Sequence, residues 1–132
     1  MSNWYYMKPR TIEWIEKAED DLKMAQREMR ASDPVWDGIC FHAQQCAEKY
    51  LKAFLEEHNI AFHKTHGLVV LLNAAGGSLT ELDSLRSELA YLSTFGIAAR
   101  YPGVRADQQA AEKAFKIAEE VRMVVRSKLG LL

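Results

Sequence analysis

Two adjacent amides, Gln44 and Gln45, lie in the middle of a largely apolar run of sequence between residues 39 and 55. Helical spacing places Gln44, Glu48 and Lys52 on one face of a helix, one turn apart. An amide carries two donors and two acceptors, which suits a buried hydrogen-bond network or a polar ligand. The alternative is a solvated face on which Glu48 and Lys52 form an ordinary surface pair. The sequence leaves both interpretations open.

Two further segments carry candidate binding residues, Lys64–His66 and Arg100–Pro102. Each also has a simpler explanation, since Thr65 could cap a helix and Arg100 could end one. If the ends of the helices meet, the basic side chains would form a cationic pocket in a nearly neutral protein. Such a pocket would suit a phosphate-bearing ligand or a short RNA segment. The set comprises Lys49, Lys52, Lys64, His66, Arg100 and Arg105.

Several well-defined chemical motifs are missing from the sequence. It contains no G-x-x-x-x-G-K-[ST] phosphate loop, no G-x-G-x-x-G, no H-E-x-x-H and no C-x-x-C. His58, His63 and His66 share one segment and could converge on a metal. We interpret them instead as solvated or capping side chains, because no helix or hairpin fixes their geometry, and we predict no metal site.

The candidate residues are predicted to lie on helices or in the connections between them. Apolar residues recur at spacings of three and four, no convincing stretch alternates with period two, and Pro and Gly fall between the periodic segments. Asp33 and Pro34 are predicted to start the second helix, and Ser78–Glu81 to cap the fourth. The fold class is therefore all-α, an up-and-down bundle of four long helices plus one short helix. The predicted spans are about 11–31, 34–57, 67–75, from 78 past 92, and 107–129.

Length and composition set the broad class. The chain has 132 residues, 48% of them hydrophobic, and a formal net charge of −1. We expect one helical domain over residues 1–132, with residues 1–10 as an N-terminal extension. The charge argues against a general polyanion binder, so no DNA partner is expected. No apolar run long enough for a membrane span and no apolar signal core occur, so a cytoplasmic location is predicted. Cys40 and Cys46 lie too far apart on one helix for a disulfide.

Taken together, these segments resemble the HEPN domain family. The matching pieces follow one another in order over roughly residues 18–102, and the last amphipathic helix extends the match to nearly the whole chain. The combination is specific, whereas any single piece is not. The pieces are Ala18–Leu22 with Ala25, Phe41–Gln45, Ala47–Lys49, Leu51–Ala53, Lys64–His66 with Leu68 and Leu71–Leu72, and Arg100–Pro102.

The resemblance implies a helical bundle, usually a homodimer, that is often paired with a minimal nucleotidyltransferase and is linked to nucleotide binding. Many members of the family are RNases, frequently toxins of toxin–antitoxin pairs. Those members use an arginine with a histidine four to six residues later. This sequence departs from that pattern, because its last histidine is His66 and none follows Arg100. The RNase activity is therefore not carried over from the resemblance.

The leading hypothesis is a nucleotide-binding or interaction module rather than an enzyme, so no catalytic residue is assigned. No cofactor is required, and ATP or another nucleotide is the candidate ligand. The first alternative is an RNase or toxin with an atypical site, in which His66 acts as the base and Arg100 stabilises phosphate charge. The second is a purely structural dimeric interaction protein, and an RNA partner stays open. The predicted ligand-binding residues are Gln45, Glu48, Lys49, Lys64, His66, Arg100 and Tyr101.

Overall fold

The computed structural model describes residues 6–97 and 101–131 of the chain. Within these ranges every regular element is helical, which confirms the predicted all-α class. Three of the five α-helices are long and two are short. Their bounds are α1 Pro9–Met29, α2 Trp36–Glu57, α3 Leu68–Ala74, α4 Arg86–Ser93 and α5 Gln108–Lys128.

The central element is α2, which packs along its length against α1 on one side and α5 on the other. It also contacts α3, α4 and the turn 94–96, whereas α1 and α5 touch each other little. The apolar stripes that predicted α1 and α5 face this helix and are buried. Because α2 is covered from several sides, even its polar residues are buried or half-buried in the bundle. The candidate residues on α2 therefore lie inside the protein.

Local hydrogen bonds explain where α5 begins and where α2 ends. Asp107 caps α5, with its carboxylate accepting from the Ala110 amide at 2.8 Å. At the end of α2, Asn59 adopts a left-handed conformation (φ 57°), and the Ile60 amide bonds the Leu55 carbonyl at 2.9 Å. This is a Schellman arrangement, and asparagine tolerates it better than most residues other than glycine.

Two predicted helix caps are wrong. Asp33 and Pro34 lie before α2, whose N-cap is Val35. The Val35 amide bonds the Glu28 carboxylate of α1 at 2.9 Å, so a side chain from the preceding helix takes the place of the expected local cap. Ser78 makes no capping bond either.

The fourth predicted helix is divided. Residues Gly76–Leu85 form 3₁₀ turns that are interrupted at Leu79, whose backbone is non-helical (φ −124°, ψ 48°). Leu79 and Leu82 are buried, and α4 begins only at Arg86. A second short 3₁₀ turn, Thr94–Gly96, follows α4 and packs on α2.

No helix within the described residues combines the length and the apolar character that a membrane crossing requires.

Candidate functional site

The polar face of α2 lies inside the protein. Gln44, Glu48 and Lys52 are 0%, 3% and 6% exposed. The Lys52 ammonium donates to Glu48 Oε2 at 2.9 Å, and the Gln44 amide donates to Glu48 Oε1 at 3.2 Å. The interpretation of this face as solvated is therefore wrong, because α1 and the segment 58–67 cover it. The structure shows the buried network instead.

His66 joins this network from the segment before α3. Its Nδ1 lies 2.9 Å from Glu48 Oε1, and the Gln44 amide donates to its backbone carbonyl at 3.0 Å. The His66 side chain is still 53% exposed. Since the partner is a carboxylate, Nδ1 carries the proton and donates, and the bond fixes the direction of the ring. Nε2 is the ring nitrogen that remains for another partner.

Aromatic rings enclose the Lys52 ammonium. It lies 5.4 Å from the centroid of Trp14 on α1 and 6.0 Å from that of Phe62 in the segment 58–67. The two rings meet edge to face at 6.5 Å. A cation over ring faces is attracted by their negative centres, so these contacts add to the Glu48 ion pair. The ammonium thereby links α1 to the segment that carries His66.

A glycine allows the turn after α4 to approach the same network. A Cβ on Gly96 would lie 3.1 Å from the Gln44 side chain, which is closer than ordinary packing. The Gln44 side-chain oxygen also accepts from the Gln45 amide at 2.7 Å. Gln45 thus contacts the network from its half-buried edge.

Lys49 belongs to a different cluster. Its ammonium lies 2.5 Å from Asp21 Oδ2 on α1, and His42 Nδ1 lies 2.8 Å from Oδ1 of the same carboxylate. Asp21 is 7% exposed. The charge of Lys49 is therefore directed at α1 and away from His66. Sequence reasoning missed Asp21 as its partner, because the two residues are 28 positions apart.

The other predicted site residues lie at the surface or outside the described residues. Lys64 is exposed two residues before His66, and no described residue forms an ion pair with it. Tyr101 is 61% exposed. Arg100 falls outside the described residues. The structure therefore brings together Gln45, Glu48 and His66, and Lys64 lies two residues before His66 in sequence. Of the predicted cationic pocket, Lys49 and Lys52 are already paired with carboxylates.

A third polar cluster joins α1 to α5. The Arg122 guanidinium donates to both oxygens of Glu19, at 2.8 and 2.9 Å, and the Tyr50 hydroxyl donates to Glu19 at 2.6 Å. Burial alone would raise the pKa of Glu19, but these hydrogen bonds, together with the positive charges of Arg122 and Arg126, outweigh burial and lower the pKa. Burial, followed by the bond to Glu19, raises the pKa of Tyr50. The cluster ties the two outer helices together.

The histidines of the segment 58–66 do not converge. His58 stacks on the Phe54 ring at 4.2 Å and bonds the Phe54 carbonyl through Nδ1 at 2.9 Å, whereas His66 is held by Glu48. Within residues 6–97 and 101–131, no group of three His, Cys, Asp or Glu side chains is arranged to hold a metal ion.

The helical bundle and the residues on α2 define a known class of protein. The family model of the HEPN domain matches residues 11–128, and the chain belongs to that family. Membership supports, at a coarse level, a module that interacts with nucleotides or resembles RNases, and HEPN domains commonly dimerise.

One solved structure has a similar fold. The crystal structure of TT1696 from Thermus thermophilus superposes with a TM-score of 0.80 at 23% sequence identity, covering 92% of this chain and 100% of that one. A comparison with curated proteins found no match to this chain.

Proposed function

We propose that this chain is a nucleotide-binding and interaction module whose phosphate contacts are centred on His66. One observation carries the proposal. The His66 imidazole is half exposed, yet it is fixed from below by the buried carboxylate of Glu48, 2.9 Å from Nδ1. A side chain held in one orientation at the surface has already lost the freedom that binding would otherwise cost it.

The charges beneath His66 are compatible with an anionic ligand. The Glu48 carboxylate is neutralised by the Lys52 ammonium at 2.9 Å, so the imidazole does not stand over an uncompensated negative charge. Lys64 adds an exposed cation two residues away. Phosphate oxygens would accept from His66 Nε2–H, in the protonated ring, and from the Lys64 ammonium. Gln45 could contact the sugar or base through the parts of its amide not bonded to Gln44.

Calorimetric titration with ATP, with and without Mg²⁺, tests the proposal. We expect His66→Ala to weaken binding about tenfold, because it removes one charge-assisted hydrogen bond. His63→Ala is the matched control, since His63 is an exposed histidine of the same segment. Equal affinities of the two variants would refute the assignment to His66, and an absence of saturable heat would refute nucleotide binding.

The proposal extends to partners. The family supports a homodimer, and the resemblance implies a minimal nucleotidyltransferase as a second partner. Light scattering should give twice the 15.0 kDa chain mass. A monomer at micromolar concentration would contradict the first part. Failure to co-purify with a nucleotidyltransferase encoded beside it would contradict the second.

The Glu48–His66 pair also favours a second candidate, an atypical RNase. A buried carboxylate on Nδ1 is the arrangement that orients a histidine as a general base. RNA cleavage by the purified protein that His66→Ala abolishes and His63→Ala preserves would establish it. Intact RNA after prolonged incubation with the wild-type protein would exclude it.

A further inference from the structure

A groove beside Phe95 of the turn 94–96 shares no residue with the His66 cluster. It has a volume of about 530 Å³ and lies between α4, the segment 101–107 and the first turns of α5. This volume is within the range of small-molecule sites, about 300–1,000 Å³. Its walls include Tyr91, Phe95, Arg105, Asp107, Gln109 and Lys113.

Two cations, Arg105 and Lys113, and one carboxylate, Asp107, line the groove. Among the described residues, no carboxylate forms an ion pair with Arg105 or Lys113. The nearby acidic groups are engaged by backbone amides, Asp107 by Ala110 at 2.8 Å and Asp37 by Ala106 at 2.6 Å. Two cations are thus available to an anion at one groove.

An aromatic ring lies between the two cations. Tyr91 meets Phe95 edge to face, with centroids 5.3 Å apart at 86°, so packing holds its ring plane. The Lys113 ammonium sits over this ring, 4.4 Å from its centroid. A planar base could displace the flexible lysine from the ring face and stack there. The displaced ammonium would then be free to contact phosphate.

We propose that this groove is a second binding site, which takes one nucleotide unit. Its base stacks on Tyr91, and its phosphate contacts Arg105 and Lys113. This inference rests on the proposed function only for the class of ligand, which is a nucleotide. None of the residues around His66 contributes to the groove. The unit could be a free nucleotide or part of a single-stranded RNA, and these two sources share the recognised chemistry.

Site-resolved NMR titration of the full chain separates the two proposals. The probes are AMP, inorganic phosphate and a single-stranded RNA hexamer. Saturable shifts of the Tyr91 ring and of the Arg105 and Lys113 amides with AMP support the groove site. Unchanged signals there with both AMP and the hexamer overturn it. The His66 signals report independently on the proposed function, so either site can fail alone.

Variants then test the named contacts. Arg105→Gln and Lys113→Gln should each weaken AMP binding at the groove about tenfold. Lys116→Gln, an exposed lysine one turn further along α5, is the matched control and should leave the affinity unchanged. Equal losses in all three variants would indicate general charge attraction and overturn the site. Hexamer affinity well above that of AMP identifies RNA as the source, and equal affinities identify the free nucleotide.

Discussion

Replacing Glu48 by glutamine should destabilise the protein strongly, although the two side chains have nearly the same shape. The Glu48 carboxylate accepts from Gln44 and His66 on one oxygen and from Lys52 on the other. An amide has only one oxygen. Its NH₂ group must therefore point at a donor on one side, and the buried Lys52 ammonium loses its counter-charge.

The expected loss of stability follows from the burial of the Lys52–Glu48 ion pair. The side chains of Lys52 and Glu48 are 8% and 4% exposed. Removing one partner of a buried ion pair typically costs 3–5 kcal/mol. Lys52 keeps its contacts with the Trp14 and Phe62 rings, which places the expected cost at the lower end, about 3 kcal/mol. For a chain of this length, that corresponds to a fall in Tm of about 10 °C.

Urea unfolding followed by helical circular dichroism measures this change. The double variant Glu48→Gln/Lys52→Met removes the buried cation as well, and it should be more stable than Glu48→Gln alone. Glu81→Gln is the control, since it breaks an exposed pair with Lys128 at 2.8 Å, and its unfolding midpoint should not move measurably.

Two results would refute this reasoning. If Glu48→Gln lies within 1 kcal/mol of the wild type, the network does not carry a desolvated charge in solution. If the double variant is less stable than Glu48→Gln, the loss comes from packing rather than from an unpaired cation.

Three further predictions concern the rest of the bundle. Gly96→Ala should cost about 1 kcal/mol by urea unfolding, because its Cβ would press on Gln44, whereas Gly77→Ala, with open space around it, should not. The lowered pKa of Glu19 contributes stability above the ordinary glutamate pKa that is lost as pH falls through the folded value. Wild-type protein should therefore lose more stability than Glu19→Gln between pH 7 and pH 3, and equal losses would contradict this. Burial raises the pKa of the Cys40 thiol to about 12 and also raises the pKa of the Cys46 thiol. Both thiols should therefore resist a thiol reagent at pH 8 until urea is added. Rapid labelling of the native protein would contradict this.

The long helices could be predicted from sequence because their signal is local. The apolar stripes of α1, α2 and α5 gave bounds within about two residues of those observed. The failures occurred where a distant or irregular contact decided the outcome. Glu28 of the preceding helix, rather than Asp33, bonds the amide at the start of α2. Leu79 leaves helical geometry and is buried, which no capping pattern at Ser78 indicates.

The residue types of the polar network on α2 could be predicted from sequence, but their partners could not. The amides and charges on α2 indicated a polar network, and His66 was identified as a neighbour of Lys64. The pairing of His66 with Glu48 across 18 positions, and of Lys49 with Asp21 across 28, depends on how the helices pack. Helical spacing reports only neighbours on the same helix. It therefore could not show that Lys49 and Lys52 contact carboxylates in two separate clusters.

The central position of α2 has a consequence for the order in which the bundle assembles. Its contacts with α1 join neighbours in the sequence, whereas its contacts with α5 must close a long stretch of intervening chain. Closing a long loop costs more entropy than pairing adjacent helices. The α1–α2 hairpin is thus the less costly first step. Until α5 docks, the second face of α2 stays open to water, so α5 completes the protection of a core that the hairpin alone leaves half formed.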